Sequence, residues 1–369
     1  MTDNPSFVLQ AIDTTTYEER VVPEPGLNEV LIEVKKTGIC GSDVHYLAHG
    51  RIGDFILKSP MVLGHESAGI VSKVGTNVKS VKAGDRVAME PGATCRQCES
   101  CKKGKYNLCP DVRFAATPPY DGTLARYYVL PADLTYPLAE HVSLEDGAML
   151  EPLAVGVHSV STLAQFKTGQ TVAVFGCGPV GLLCMAVAKA LGASRIVAID
   201  IAQPRLDFAK QYAATDTWNP PAPSEGETKI AYSRRNAQLL KEALGIEDRG
   251  PKGIDLIIDA SGAETSVQTG FYLVKIGGTF IQVGMGNPEV TIDLGMLMTK
   301  ELVYKGSFRY GPGDYELANS LVTHGKVDLK PLVTHRYKFT DAIAAFKATR
   351  AGKSEDGKGV IKVIIDGPE

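Results

Sequence analysis

The stretch that decides the fold begins Thr171-Val-Ala-Val-Phe175 and continues Gly176-Cys-Gly178-Pro179-Val180-Gly181 into an apolar helical segment, residues 182–191. A second apolar run, residues 195–199, ends on an acid, Asp200. A glycine turn of this spacing is a weak signal alone, and the alternative is an α/β domain with an incidental turn. Between a buried strand and a helix, with an acid after the next strand, it indicates a doubly wound, Rossmann-type parallel sheet.

The same stretch supplies the residues that we expect to hold a dinucleotide. Glycines permit the tight turn and the close approach of a pyrophosphate, and the helix N-terminus presents unpaired N–H groups to the phosphates. Asp200 can accept hydrogen bonds from both ribose hydroxyls and would repel a 2′-phosphate, so NAD is favoured over NADP. The predicted cofactor-binding residues are Gly176, Gly178, Pro179, Val180, Gly181, Asp200 and Arg205.

Length and composition are typical of a globular enzyme of two or three domains, with 369 residues, 44% hydrophobic and 22% charged. A net charge of −3 gives no long-range attraction to nucleic acid or to an acidic membrane. Residues 1–31 carry prolines and acids where a secretory signal needs an apolar core, and glycines and Lys189 interrupt the longest apolar run. We therefore expect a cytoplasmic protein that binds neither nucleic acid nor membrane.

Four of the seven cysteines are crowded into residues 95–109, at Cys95, Cys98, Cys101 and Cys109. Gaps of two residues let a tight loop turn its sulfurs toward one tetrahedral ion, and four sulfurs leave no position open for chemistry. This spacing predicts a structural zinc loop. An iron–sulfur cluster or a zinc ribbon that binds nucleic acid are the alternatives, but no basic stripe with interleaved aromatics accompanies the cysteines.

A second candidate metal pocket lies between Gly38 and Glu66, where Cys40 precedes a His65-Glu66 pair. Thiolate, imidazole and carboxylate together suit zinc, and three protein ligands leave a fourth position open, as catalytic zinc requires. The alternative is a buried cysteine with surface histidines. The surrounding residues 6–90 form short apolar runs broken by turns, which predicts a mainly β module.

The order of these features resembles that of the zinc-containing medium-chain dehydrogenases, nearly end to end. Within them the chain is similar to the polyol branch of sorbitol, arabinitol and xylitol dehydrogenases, and residues 116–124 and 311–315 lean toward the xylitol enzymes. The stretches that carry the resemblance are Gly38-Ile-Cys-Gly-Ser-Asp-Val-His-Tyr46, Pro60-Met-Val-Leu-Gly-His-Glu66, Phe114-Ala-Ala-Thr-Pro-Pro119, Leu150-Glu-Pro-Leu153 and Gly306-Ser-Phe-Arg-Tyr310.

The resemblance implies an α/β protein with a GroES-like β-barrel catalytic domain at residues 1–155, a Rossmann NAD-binding domain at 156–295 and a return to the catalytic domain at 296–369. It also implies a homotetramer, one catalytic and one structural zinc per chain, and chemistry in the cleft between the domains. The catalytic zinc would be bound by Cys40, His65, Glu66 and Glu151, the last directly or through water. Cys177 and Cys184, the two remaining thiols, lie in the glycine turn and its helix, so carboxylates must complete this site.

The implied reaction is the reversible, NAD-dependent oxidation of a polyol secondary alcohol to a ketose, with xylitol and D-xylulose as the expected pair. Ser42 and His45 are expected to pass the proton to solvent, Glu66 and Glu151 to act at the metal, and Asp43 to orient the histidine ligand. Sorbitol and L-arabinitol are alternative substrates, and a nucleotide-binding protein without turnover is the non-enzymatic alternative. The predicted polyol pocket consists of Tyr46, Phe55, Phe114, Thr117 and Arg309, although core packing explains such aromatics equally well.

Overall fold

The computed structural model describes residues 2–369. Its strands are β1 (Thr2–Ala11), β2 (Thr14–Val21), β3 (Glu29–Gly38), β4 (Arg51–Ile52), β5 (Phe55–Ile56), β6 (Met61–Val62), β7 (Glu66–Val74), β8 (Arg86–Met89), β9 (Gly92–Ala93), β10 (Arg113–Phe114), β11 (Tyr127–Pro131), β12 (Thr135–Pro137), β13 (Thr171–Phe175), β14 (Arg195–Ile199), β15 (Asp216–Trp218), β16 (Ile254–Asp259), β17 (Val274–Gln282), β18 (Val303–Gly306), β19 (Val333–Tyr337) and β20 (Lys362–Asp366). Its α-helices are α1 (Gly41–His49), α2 (Glu99–Lys102), α3 (Leu144–Ala148), α4 (Leu150–Val157), α5 (Pro179–Ala190), α6 (Gln203–Tyr212), α7 (Lys229–Leu244), α8 (Glu264–Leu273), α9 (Leu294–Thr299), α10 (Asp314–Thr323) and α11 (Ala342–Ala351).

The chain forms two compact units, Met1–Glu151 with Gly311–Glu369, and Pro152–Tyr310. The first unit is built on a seven-stranded sheet in the order β12-β8-β7-β3-β20-β19, with β11 also paired to β3. Val30, Ile32 and Val34 of β3, two residues apart and so on one face of the strand, bury their side chains in one core with Val71 of β7. The pairing of β20 with β3 brings the carboxyl-terminal segment into the same sheet as residues made at the start of the chain.

The second unit is a six-stranded parallel sheet in the order β15-β14-β13-β16-β17-β18. All five residues of β13 are buried, as expected for a central parallel strand. Because the order of the strands reverses between β13 and β16, a crevice opens at their carboxyl ends, which is where open α/β sheets bind ligands. The glycine turn predicted from the sequence follows β13 at this edge.

The boundaries of the second unit differ from those predicted. The prediction ended it at residue 295, but after α9 the chain adds β18, which pairs in parallel with β17, so the unit extends through residue 310. It also begins at residue 152 rather than 156. Residues 219–228 are irregular, and the Thr228 hydroxyl accepts a hydrogen bond from the Ala231 N–H and caps α7.

Between residues 2 and 369, the structure contains no helix that is both long enough and apolar enough to cross a membrane.

Candidate active site and metal centres

Cys40, His65 and Glu66 come together in the first unit. Cys40 follows β3 and begins α1, and Glu66 begins β7, whose first residue pairs with Gly38 at the end of β3. One ligand atom from each of the three residues lies within 4.8 Å of the others. Ligands about 2.0–2.3 Å from one ion are at most about 4.6 Å apart, so small adjustments would let the three bind a single zinc.

Asp43 forms hydrogen bonds with both chain segments that carry this cluster, the one at Cys40 and the one before His65. Its Oδ2 accepts a hydrogen bond from the Cys40 N–H at 3.1 Å and its Oδ1 accepts one from the Gly64 N–H at 3.0 Å. The same Oδ1 lies 3.4 Å from His65 Nδ1. This contact leaves the other ring nitrogen, Nε2, for a metal, the arrangement in which a carboxylate orients a histidine ligand.

Lys362, on β20, is a residue of the site that the sequence analysis missed. Its Nζ lies 2.7 Å from each carboxylate oxygen of Glu66 and 3.2 Å from the Ile39 carbonyl oxygen. Burial opposes a charged Lys362, but the negative charges of Glu66, Cys40 and Glu151 prevail and raise its pKa. The available signal was a lysine inside an otherwise apolar strand.

The electrostatic field around the cluster favours a cation. Burial lowers the pKa of His65, but Asp43 and Cys40 outweigh it and hold that pKa well above its ordinary value. The negative charges of Asp43, Cys40, Glu66 and Glu151 therefore act on one buried lysine, Lys362, and one histidine, His65. Together with the thiolate, imidazole and carboxylate donors, this field fits a divalent metal ion.

Glu151 is buried in the first turn of α4 but does not join the three-residue cluster. Its negative charge nevertheless helps to raise the pKa of Lys362 and the pKa of Tyr315. For Tyr315, Glu151 is the second largest cause, after burial. Glu151 thus lies in the same electrostatic environment as Glu66. Binding of Glu151 to the metal, directly or through water, stays a prediction.

Ser42 and His45, the predicted proton carriers, are both on α1, within six residues of Cys40. The Ser42 side chain is half-buried, and His45 is exposed on the helix surface. Burial and the neighbouring His49 lower the pKa of His45. A neutral imidazole at pH 7 can accept a proton, so these positions are compatible with the predicted role.

The predicted polyol-binding residues are distributed over both units and differ in burial. Phe114 is buried, with its ring centroid 5.7 Å from that of His65, and Thr117 is buried three residues later. Tyr46 is buried in a core cluster with Phe7 and Met61, so packing accounts for it. Phe55 is exposed on β5. Arg309 belongs to the second unit, where its guanidinium lies over the Phe308 ring.

The four thiols predicted to hold a structural zinc are brought together, with their sulfurs within 4.8 Å of one another. Backbone N–H groups donate hydrogen bonds to the sulfurs. The Cys98 N–H donates to Cys95 Sγ at 3.3 Å, and the Cys101 N–H donates to Cys98 Sγ at 3.4 Å. Hydrogen bonds from backbone N–H groups lower the pKa of Cys95 to about 7. Such bonds stabilise thiolates, the form that binds metal, so the loop fits one closed zinc site.

A buried carboxylate, Glu90, ties this loop to the sheet. It is fully buried, and its two oxygens each accept a 2.6 Å hydrogen bond, from Tyr106 in the thiol loop and from Tyr136 on β12. Tyr136 stacks on Tyr315, whose hydroxyl donates to the Met89 carbonyl oxygen. Burial outweighs the tyrosine hydrogen bonds and raises the pKa of Glu90 to about 7. The sequence analysis did not identify this residue.

In the second unit, the glycine turn has the geometry of a dinucleotide site. Gly176 adopts φ of 90°, and a Cβ on Gly181 would lie 1.9 Å from the Gly176 carbonyl oxygen, so neither position accepts a side chain. A Cβ on Gly178 would meet nothing within 4 Å. Open space beside the first turn of α5, where Pro179 and Val180 begin the helix, is what a pyrophosphate requires.

Asp200 lies beside this turn. It accepts hydrogen bonds from the Cys177 N–H at 2.8 Å and the Ala202 N–H at 2.9 Å, one on each carboxylate oxygen. Each oxygen keeps a lone pair for a ribose hydroxyl. Arg205 is exposed near the start of α6 and is close enough to lower the pKa of Cys177 electrostatically. The residues present therefore fit NAD.

Comparisons with known proteins agree with this architecture. Residues 26–140 match the family model "Alcohol dehydrogenase GroES-like domain", and residues 179–324 match "Zinc-binding dehydrogenase". The chain is 55% identical over 365 residues to "D-xylulose reductase A" of Aspergillus niger, covering 99% of this chain and 97% of the relative. These matches confirm the predicted fold class, a GroES-like barrel with a Rossmann domain.

Two solved structures from Escherichia coli extend the comparison. An oxidoreductase/dehydrogenase of unknown specificity superposes with a TM-score of 0.87 at 34% identity, covering 99% of both chains. L-idonate 5-dehydrogenase superposes with a TM-score of 0.84 at 29% identity, covering 98% of both chains.

Proposed function

Because the chain belongs to the zinc-binding, medium-chain polyol dehydrogenase family, we propose that it catalyses the reversible, NAD-dependent oxidation of xylitol to D-xylulose. The observation that carries the proposal is the Cys40, His65 and Glu66 cluster, whose ligand atoms lie within 4.8 Å of one another. The 55% identity to an Aspergillus niger D-xylulose reductase supports the choice of substrate. NAD is supported by Asp200, whose carboxylate lies against the glycine turn.

The residues of the site have separate roles in this reaction. When bound, zinc lowers the pKa of the substrate hydroxyl, and NAD accepts the hydride from the carbon that bears it. Cys40, His65 and Glu66 would hold the metal, and Asp43 keeps the His65 ring in one orientation. The proton released from the hydroxyl leaves through Ser42 and His45. Glu151 contributes negative charge and would help to hold the metal, directly or through water.

Lys362 acts in this scheme as the counter-ion of Glu66. The Lys362 ammonium holds the Glu66 carboxylate in position at 2.7 Å from each oxygen, and the carboxylate still has lone pairs for a metal because each oxygen accepts more than one contact. Phe114, packed on the His65 ring, supports the proposal that Phe114 and Thr117 face the substrate. Tyr46, Phe55 and Arg309 stay proposed contacts.

We also propose a homotetramer that acts in the cytoplasm. The edge strand β18 exposes Val303 and Tyr304, and Leu294 and Met298 of the adjacent α9 are more than half exposed. An apolar sheet edge of this kind pairs readily with a second copy of the chain. Seven free cysteines among the described residues suit a reducing compartment. Sedimentation analysis of the protein and of Val303→Lys tests the self-association.

Activity with a panel of polyols tests the proposed reaction. We expect the largest kcat/KM with xylitol and NAD, smaller values with sorbitol and L-arabinitol, and little reaction with NADP. The Cys40→Ser variant should bind NADH with unchanged affinity, contain one zinc instead of two, and lose turnover. Xylitol oxidation by a folded Cys40→Ser protein at the parent rate would refute the proposal, and a preference for sorbitol would reassign the substrate.

A further inference from the structure

A pair of histidines on α1 carries a ligand site outside the clusters described above. His45 and His49 are four residues apart on this helix, and both side chains are exposed. Their ring centroids lie 4.5 Å apart with an angle of 55° between the ring planes. Residues four apart share one helix face, and two histidines at this spacing are a recurrent arrangement for binding one metal ion.

The surroundings of the pair favour a cation. His49 is in the last turn of α1, where the macrodipole is negative and the final carbonyl groups face outward. The helix ends at Gly50, which adopts a left-handed φ of 66°. Arg51, the nearest arginine along the chain, lines the same surface cavity as His49, and its guanidinium donates two hydrogen bonds to the Gly53 carbonyl oxygen, at 3.0 and 2.7 Å.

The His45 ring is also available as a ligand at neutral pH. Burial is the larger cause and the neighbouring His49 the smaller cause of its lowered pKa, so the neutral ring with a free lone pair predominates at pH 7. Metals bind the neutral imidazole, so at pH 7 a metal ion does not have to displace a proton from this ring. Lys58 and Arg51, which line the same surface cavity as His49, are positive groups that oppose binding.

We propose that His45 and His49 form an exchangeable site for a divalent transition metal of the Ni²⁺, Cu²⁺ and Zn²⁺ class, and that metal bound there inhibits turnover. One ring nitrogen from each histidine binds the ion, and water fills the remaining positions. The inhibition rests on the proposed function, because it requires that His45 accept the proton released from the substrate. A metal ion on the His45 lone pair removes that acceptor.

Nickel titration of the zinc-loaded, untagged protein tests the site without turnover. Calorimetry should show one Ni²⁺ site per chain, with zinc content unchanged afterwards. The His49→Gln variant should weaken this binding by at least about tenfold, as loss of a ligand contact does. His324→Gln is the matched control, because His324 is exposed at the end of α10 and its Nδ1 is bonded to the Ser320 carbonyl oxygen. Equal nickel binding in the parent and His49→Gln would overturn the site.

Rate measurements test the consequence. Ni²⁺ should inhibit the parent over the concentration range in which calorimetry shows binding, and a chelator in small excess should restore the rate. His49→Gln should keep the basal rate and require at least about tenfold more Ni²⁺ for the same inhibition. Nickel bound at the pair without inhibition would overturn the inhibitory role. A parent protein inactive on polyols would refute the proposed function, while the calorimetric result would still decide the site.

Discussion

The ammonium group of Lys362 lies 2.7 Å from both carboxylate oxygens of Glu66, although 296 residues separate them in the sequence. Only 4% of the lysine side chain and 1% of the glutamate side chain are exposed. A pair this deeply buried adds little net stability when intact, but removal of one partner leaves the other charge without solvent or counter-ion. The pair therefore makes the candidate metal centre dependent on the carboxyl-terminal strand.

Replacement of Lys362 by Met should destabilise the protein by about 3–5 kcal/mol, because Glu66 then loses its counter-ion in a buried site. Urea unfolding measures this loss. The double variant Lys362→Met/Glu66→Gln should recover part of it. Lys36→Met is the control, since Lys36 forms partly exposed ion pairs with Asp366 and Glu145 and should cost less than about 1 kcal/mol. Equal losses for the two lysines would contradict the assigned role.

Glu90 should make stability depend on pH near neutrality. Its pKa is about 7 in the folded protein against an ordinary value of 4.5, because burial disfavours the carboxylate. The contribution of Glu90 to the free energy of unfolding is therefore fully present below pH 4.5, where the carboxyl is protonated in both states, and is lost as the pH rises through about 7. Between pH 5 and pH 8, Glu90→Gln should therefore gain roughly 2–3 kcal/mol relative to the parent.

Urea unfolding at several pH values measures this difference. Glu242→Gln is the control, because Glu242 is exposed and accepts a hydrogen bond from Gln238 on the same helix. Its stability relative to the parent should not change with pH in this range. A stability difference between Glu90→Gln and the parent that stays constant from pH 5 to pH 8 would show that Glu90 is ionised throughout.

Asp200 should determine the choice of cofactor. The Asp200→Asn variant keeps a side chain of the same shape but loses the charge that binds ribose hydroxyls and repels a 2′-phosphate. We expect kcat/KM for NAD to fall about 10–100-fold, since a hydrogen bond to a charged group contributes about 1.5–3 kcal/mol. The ratio of NADP to NAD activity should rise. Asp207→Asn, on the exposed side of α6, should change neither value, and an unchanged NAD preference in Asp200→Asn would exclude this role.

Metal removal should divide the seven cysteines into two classes. Cys40 and the four thiols of the 95–109 loop are ligand candidates, whereas Cys177 and Cys184 are buried, and burial raises the pKa of each to about 12. A thiol reagent should therefore modify none in the zinc-loaded protein, five after chelation and seven in denaturant. Reaction of Cys177 in the zinc-loaded protein would show that the glycine turn opens.

The parts of the site that could be predicted from the sequence are those with local signals. Cys95, Cys98 and Cys101 have a spacing that few other structures produce, and the turn at Gly176 is flanked by apolar runs whose lengths and order identify a parallel sheet. His65 and Glu66 were recognisable as ligand types near Cys40. In each case the functional residues and the sequence features that identify them lie within about 30 residues of one another, so a local sequence pattern is enough to predict them.

The parts that were missed depend on pairing between distant segments. Nothing near Lys362 in the sequence indicates that its strand lies beside β3, and nothing near Glu90 indicates that Tyr106 and Tyr136 converge on it. The carboxyl end of the second unit, predicted at residue 295, depends on pairing in the same way, because β18 joins the sheet only through its pairing with β17. Strand neighbours are set by the whole sheet, and local periodicity does not encode them.

The insertion of β20 between β3 and β19 gives the site an order of assembly during synthesis. A ribosome makes Glu66 296 residues before Lys362, which at about 5–20 residues per second is an interval of roughly 15–60 s. During that interval the nascent first unit lacks β20 and the Glu66 carboxylate lacks its counter-ion, whereas the second unit, residues 152–310, is completed before Lys362 is made. The nucleotide-binding unit can therefore fold first, and the metal centre must wait for the segment made last.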